Sequence, residues 1–121
     1  MDNKEMNRIV AEKVHGWHRQ PWNAWNKDAK PLYGFWADEK DTFQESLEGY
    51  SPATNIAQAF EAIEAWRDKT GRHWDISSPV FGGDEKFYCA IYHLADGEDW
   101  ARADTPAQAI TEALVKAVSD G

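Results

Sequence analysis

Ser51–Lys69 reads SPATNIAQAFEAIEAWRDK, and this stretch decides the fold. Ile56, Ala59, Phe60, Ile63 and Trp66 recur at helical spacing, while Gln58, Glu61, Glu64, Arg67 and Asp68 fall on or near the opposite side. Thr54 or Asn55 can accept the first free amides, and Gly71 supplies the left-handed residue that ends the helix. An amphipathic helix has to bury its stripe, so the rest of the chain must provide a surface for it.

Downstream, His73 to Ser77 alternates as a short strand closed by Pro79, and Gly82-Gly83-Asp84-Glu85 is a turn. Lys86 to Leu94, KFYCAIYHL, is the strongest strand in the chain. It has Phe87, Cys89 and Ile91 on one side and Tyr88, Ala90, Tyr92 and Leu94 on the other, which predicts a central strand covered on both faces. Ala95-Asp96-Gly97 turns the chain into a returning strand, Asp99 to Ala103. Thr105 then caps a final helix with Pro106 at its first position and Gln108 placed for a capping box. Ile110, Ala113, Leu114, Ala117 and Val118 form its apolar face.

Upstream, Asn3 to His15 predicts a first helix with Met6, Ile9, Val10 and Val14 inward and Gly16 as the stop. Trp17 to Lys30 holds Pro21 and three indoles and predicts an ordered loop with a short strand near Trp17. Leu32 to Ala37 predicts a strand, and the acidic Glu39 to Tyr50 a loop with one helical turn. The order is α-β-α-β-β-β-α in one domain, residues 1–121: an α+β fold with an antiparallel sheet sandwiched between helices.

Composition narrows the function classes. Thirteen Lys and Arg against 21 Asp and Glu give a formal charge of −8, which disfavours nucleic acid and anionic membranes. The N-terminus lacks a signal-peptide pattern and no apolar run reaches the roughly 20 residues that span a bilayer, so a cytoplasmic protein is expected. Cys89 is the one cysteine; it excludes an internal disulfide and reads as a packed thiol. His15 and His18 have the spacing of a helical metal pair, but Gly16 lies between them and no third ligand is evident. His73 and His93 lie on different strands and read as ordinary strand histidines. The acidic groups Asp38-Glu39-Asp41 and Asp96-Glu98-Asp99 sit in turn-like sequence, where solvated carboxylates are commonplace. The expectation is no metal, no cofactor and no catalysis.

Certain motifs carry a family resemblance: Gly16-Trp17 at the end of the first helix, SPATNIAQAFEAIE from Ser51 to Glu64, and ADTPAQAITEALVKAV from Ala103 to Val118. Over nearly its whole length the chain resembles the phage ABA-sandwich domain family, small mixed domains encoded largely by bacteriophages and prophages. These are motifs of caps and helix faces, so the resemblance implies a fold and a phage accessory role, anti-defence among them, with no catalytic residues to carry over. The order from Asn55 onward also resembles a double-stranded RNA-binding domain, but its last helix opens Asp104, Thr105, Pro106 where that module places lysines.

Binding without catalysis remains. Seven tryptophans is high usage for 121 residues. Trp17, Trp22, Trp25 and Trp36 could stack a base-like ring of a small nucleotide signal, with Arg19, Lys27, Lys30, Arg72 or Arg102 at its phosphates. Alternatively an acidic, aromatic surface occludes a host protein. A purely structural or scaffolding role, including homo-oligomer formation, is the third option.

Overall fold

The structure, a computed structural model, describes residues 1–21, 34–78, 86–94 and 97–120. The expected loop carrying Trp22 and Trp25, Pro79, the Gly82–Glu85 turn and Ala95-Asp96 lie outside the described residues.

The described residues form an α+β fold of three helices and two three-stranded antiparallel sheets. Helix α1 (Asn3–Ile9) opens on Asp2, whose carboxylate accepts from the Glu5 amide, and continues into a π-helical segment, Val10–Val14. Within that segment the His15 amide reaches back to the Val10 carbonyl, and Gly16 at φ 73° ends the run. Met6, Val10, Ala11 and Val14 are buried, as the periodicity predicts.

Sheet A joins β1 (His18–Pro21), β2 (Gly34–Ala37) and β3 (Phe43–Ser46) in that order. The short strand expected near Trp17 is β1. In contrast, β3 replaces the loop and helical turn expected between Glu39 and Tyr50. Its four residues, FQES, are exposed or half-buried at the sheet edge, and an edge strand of that polarity has a loop's composition. The hairpin turn between β2 and β3 absorbs the first acidic cluster. The Asp38 carboxylate accepts from the Lys40 and Thr42 amides at 2.9 Å each, and the Thr42 bond holds its pKa below the ordinary carboxylate value. Asp41 takes φ 61°, a left-handed conformation that aspartate tolerates.

Helix α2 (Ile56–Thr70) is capped by Asn55, which accepts from the Gln58 amide at 3.1 Å, and stops at Gly71 with φ 73°. Its buried side is Ala59, Ala62 and Ile63, whereas Ile56 and Phe60 remain about two-fifths exposed. The stripe is therefore rotated from the expected one. Small residues let α2 approach the last helix closely, and Phe60 is left at the margin, tilted against Trp74 at 5.7 Å.

Sheet B joins β4 (Trp74–Ser77), β5 (Phe87–Tyr92) and β6 (Glu98–Ala103) as a meander. Pairing Ile76 with Cys89 and Cys89 with Ala101 fixes the register. Trp74, Ile76, Phe87, Cys89, Ile91, Ala101 and Ala103 then belong to the core, and Asp75, Tyr88, Tyr92, Glu98, Trp100 and Arg102 alternate to the other face. Cover of β5 on both faces, expected from its apolar run, is not found among the described residues. Tyr92 and Trp100 are exposed, because the described helices gather on the Cys89 side. Cys89 is fully buried, and desolvation pushes its thiol up to about 12.

Helix α3 (Pro106–Asp120) is the hub, packed on β5, β6, α1, the π segment and α2. Ala109, Ile110, Thr111, Ala113, Leu114 and Ala117 are wholly buried. Thr105 accepts from the Gln108 amide at 3.2 Å, but the Gln108 side chain turns to Glu112 at 3.2 Å. Half of the expected capping box forms. Leu114→Ala should cost about 2–5 kcal/mol in a denaturant titration, since a fully buried site with backbone on several sides cannot collapse around the void. A loss below about 1 kcal/mol would remove α3 from the centre of the core.

Candidate functional site

Three places gather the chemistry-bearing side chains. The first is a cleft of about 800 Å3 between α1, sheet A and the β3–α2 connection. Arg19 and Trp36 are directly paired across β1 and β2, so they project to one side of the sheet. There the Arg19 guanidinium lies 5.7 Å from the Trp36 ring centre. Trp36 is 4% exposed, so its indole is a wall of the cleft with no open face for stacking. Lys4 and Arg8 from α1 join Arg19 along the cleft and along a smaller annexe of about 260 Å3.

Beside the cleft sits an aromatic cluster. The His15 ring stacks flat on Trp17, 4.1 Å between centres and 10° between planes, and both meet the edge of Tyr50 at 5.8 and 5.0 Å. His15 Nε2 and the Tyr50 hydroxyl are buried with no hydrogen-bond partner among the described residues. Burial, aided by the nearby Lys69 charge, lowers His15 to about 4. His18 instead faces Asp41, Nε2 to Oδ1 2.8 Å. The two histidines thus have separate surroundings, and no group of three or more His, Cys, Asp or Glu able to hold a metal occurs among the described residues.

The second place is the junction of α2 with sheet B. Arg72 follows the Gly71 stop and reaches the Tyr92 carbonyl through Nε at 2.9 Å and the Asp99 carboxylate through Nη2 at 2.7 Å. Asp99 is 6% exposed and also lies 3.2 Å from His93 Nε2. Arg72 therefore neutralises a buried carboxylate and holds the ends of β5 and β6 together.

The third is the outer face of sheet B. Trp100 is 52% exposed and its ring lies 6.5 Å from that of Tyr88 in a stacked arrangement. Tyr92 adds its ring, its hydroxyl donating to Asp75 at 2.5 Å, and Leu94 is exposed just past the strand end. Arg102 pairs in register with Tyr88, and Lys86 bonds Asp104. Lys116 of α3 reaches the Trp100 carbonyl at 2.8 Å and lies 5.5 Å from its ring centre.

The residues expected at one ligand site are thus divided. Arg19 and Trp36 share the cleft, with Trp17 packed behind it; Arg72 is in the junction and Arg102 on the sheet face. Trp22 and Trp25, like Lys27 and Lys30, lie outside the described residues. Lys4, Arg8 and Trp100 were not expected. The alternation Glu98, Trp100, Arg102 does carry a signal for the last, since an aromatic flanked by charges at period two belongs on an open face.

Two measurements check these assignments. Arg72→Ala should cost about 3–5 kcal/mol by leaving Asp99 buried without its cation, while Arg102→Ala should cost less than about 1 kcal/mol; equal losses would place Arg72 among the surface cations. For His15, the folded-state pKa is depressed, so the unfolded chain takes the proton first as pH falls. Its contribution is complete above pH 6.5 and drains away towards pH 4. That amounts to about 3 kcal/mol over the full window, and His15→Gln should flatten the stability profile between those limits.

Comparison with known proteins gives one match: residues 8–115 fit the phage ABA sandwich domain family. No curated protein and no solved structure matches the chain. Among the described residues no helix is long and apolar enough to cross a membrane. The match runs from the end of α1 through every later element to most of α3, and the chain belongs to the phage ABA sandwich domain family.

Proposed function

We propose that this domain acts without catalysis, as a phage accessory protein that occludes a host protein in the cytoplasm through the outer face of sheet B. The observation that carries the reading is Trp100, a large aromatic half exposed on the edge strand β6, on the sheet face against which no described helix packs. Tyr88 and Tyr92 flank it on β5, and such side chains bury a large area on docking at small entropic cost. Aromatic anchors of this kind each contribute about 2 kcal/mol or more when fully desolvated.

Charge selects the partner. Asp75, Glu98 and Asp104 lie by the aromatics together with Arg102, Lys86 and Lys116, while the chain as a whole carries −8. That overall charge draws a basic surface on the host protein, and the anchors set how long it stays. The alternative of a nucleotide stacked in a Trp-rich pocket has less to support it, because Trp17 and Trp36 are taken up by packing against His15, Tyr50 and Arg19.

The test is affinity capture from host lysate with the wild-type chain and with Trp100→Ala, both checked for fold by circular dichroism. A protein with a basic surface should be retained by the wild type, reduced about tenfold with the variant, and released at about 0.5 M salt. Identical retention by both chains would defeat this reading.

A further inference from the structure

We propose that the cleft between α1 and sheet A binds a phosphorylated small molecule of nucleotide size, held by its phosphoryl end and not by stacking. This inference is independent of the sheet face and shares no residue with it.

Three observations carry it. First, the cleft's volume, about 800 Å3, falls within the roughly 300–1,000 Å3 of small-molecule sites. Second, Lys4, Arg8 and Arg19 line both the cleft and its annexe, so three cations converge where the two meet, on a chain that is otherwise strongly acidic. Neither Lys4 nor Arg19 has a carboxylate partner among the described residues. Arg8 is held in place by Glu12 at 2.9 Å and Glu5 at 3.9 Å, and keeps donors to spare on a five-donor guanidinium. Third, the carboxylates nearby are sorted by position. In the annexe, Asp2 is occupied in capping the Glu5 amide and Glu5 attends Arg8. In the main cleft the lining carboxylate among the described residues is Glu48, on the connection that follows β3.

That sorting defines the ligand. Phosphoryl oxygens suit the Lys4–Arg8–Arg19 end, where charge-assisted and forked hydrogen bonds are the strong ones. Glu48 repels a second anionic group and accepts from hydroxyl or amino donors, as a sugar or base would present. Bare multivalent anions satisfy only half of the cleft. Trp36 contributes as the wall beside Arg19, 5.7 Å from its guanidinium: a guanidinium over a ring has fewer orientations to lose when it binds a phosphate.

The experiment is isothermal titration of the full chain with ADP, inorganic pyrophosphate and adenosine, repeated with Lys4→Gln, Arg19→Gln, Glu48→Gln and Arg102→Gln. ADP should bind, adenosine should not at about 10 mM, and Lys4→Gln and Arg19→Gln should each weaken ADP about tenfold, one charge-assisted contact each. Arg102→Gln, on the sheet face, should leave ADP binding unchanged. Glu48→Gln should weaken ADP while leaving pyrophosphate as it was or tighter. No binding of ADP at about 10 mM, equal affinity in Arg19→Gln and wild type, or adenosine binding as tightly as ADP would overturn the proposal.

Discussion

Everything in this domain leans on α3. Its buried surface is mostly methyl groups: Ala107, Ala109, Ala113 and Ala117, with Ile110 and Leu114 between them. Alanine adds little apolar area by itself, but it lets neighbouring backbones come close, and dispersion grows with that closeness. Two other helices, the π segment and two strands therefore share one helix as their common surface. The cost is a buried Thr111 hydroxyl without a hydrogen-bond partner among the described residues, of the order of 1–3 kcal/mol.

That arrangement determines what is left outside. With every described helix drawn to the Cys89 side of sheet B, none of them remains for the Tyr88 side. The open face follows from the core, and the Trp100 indole is displayed as a consequence. The other described indoles go inward: Trp36 is 4% exposed, and Trp17, Trp66 and Trp74 pack against the same core. Among the described residues tryptophan thus mostly fills space, and position along a strand separates these indoles from the exposed Trp100.

The sequence was informative where local chemistry acts alone. Asn55, Thr105, Pro106, Gly16 and Gly71 end or begin helices through their own side chains and backbone freedom, and each does so here. It was less so where the outcome depends on a neighbour. KFYCAIYHL is apolar on both sides, yet β6 beside it alternates charged and small residues, and a sheet has one outer face for all its strands. Reading β5 together with Glu98, Trp100 and Arg102 would have opened that face. Strand β3 was hidden because its edge position permits polar residues, and the cleft was hidden because Lys4 and Arg19 are 15 residues apart and meet only after α1 and sheet A have packed. Arg72 and Arg102 looked alike as cations. What separates them is Asp99, a carboxylate inside the sheet that one of them can reach from the end of α2.

Charge does not by itself separate the two surfaces. Lys4, Arg8 and Arg19 share the cleft and its annexe with Asp2, Glu5 and Glu48. Around Trp100 the cations are engaged: Lys86 with Asp104, Lys116 with the Trp100 carbonyl. Both places therefore carry charges of both signs, and shape is what distinguishes them: one is a concavity of about 800 Å3 beside α1, the other a sheet surface from which the Trp100 ring stands out. A concavity encloses a small group on several sides, whereas an open sheet surface is desolvated only by something as broad as itself.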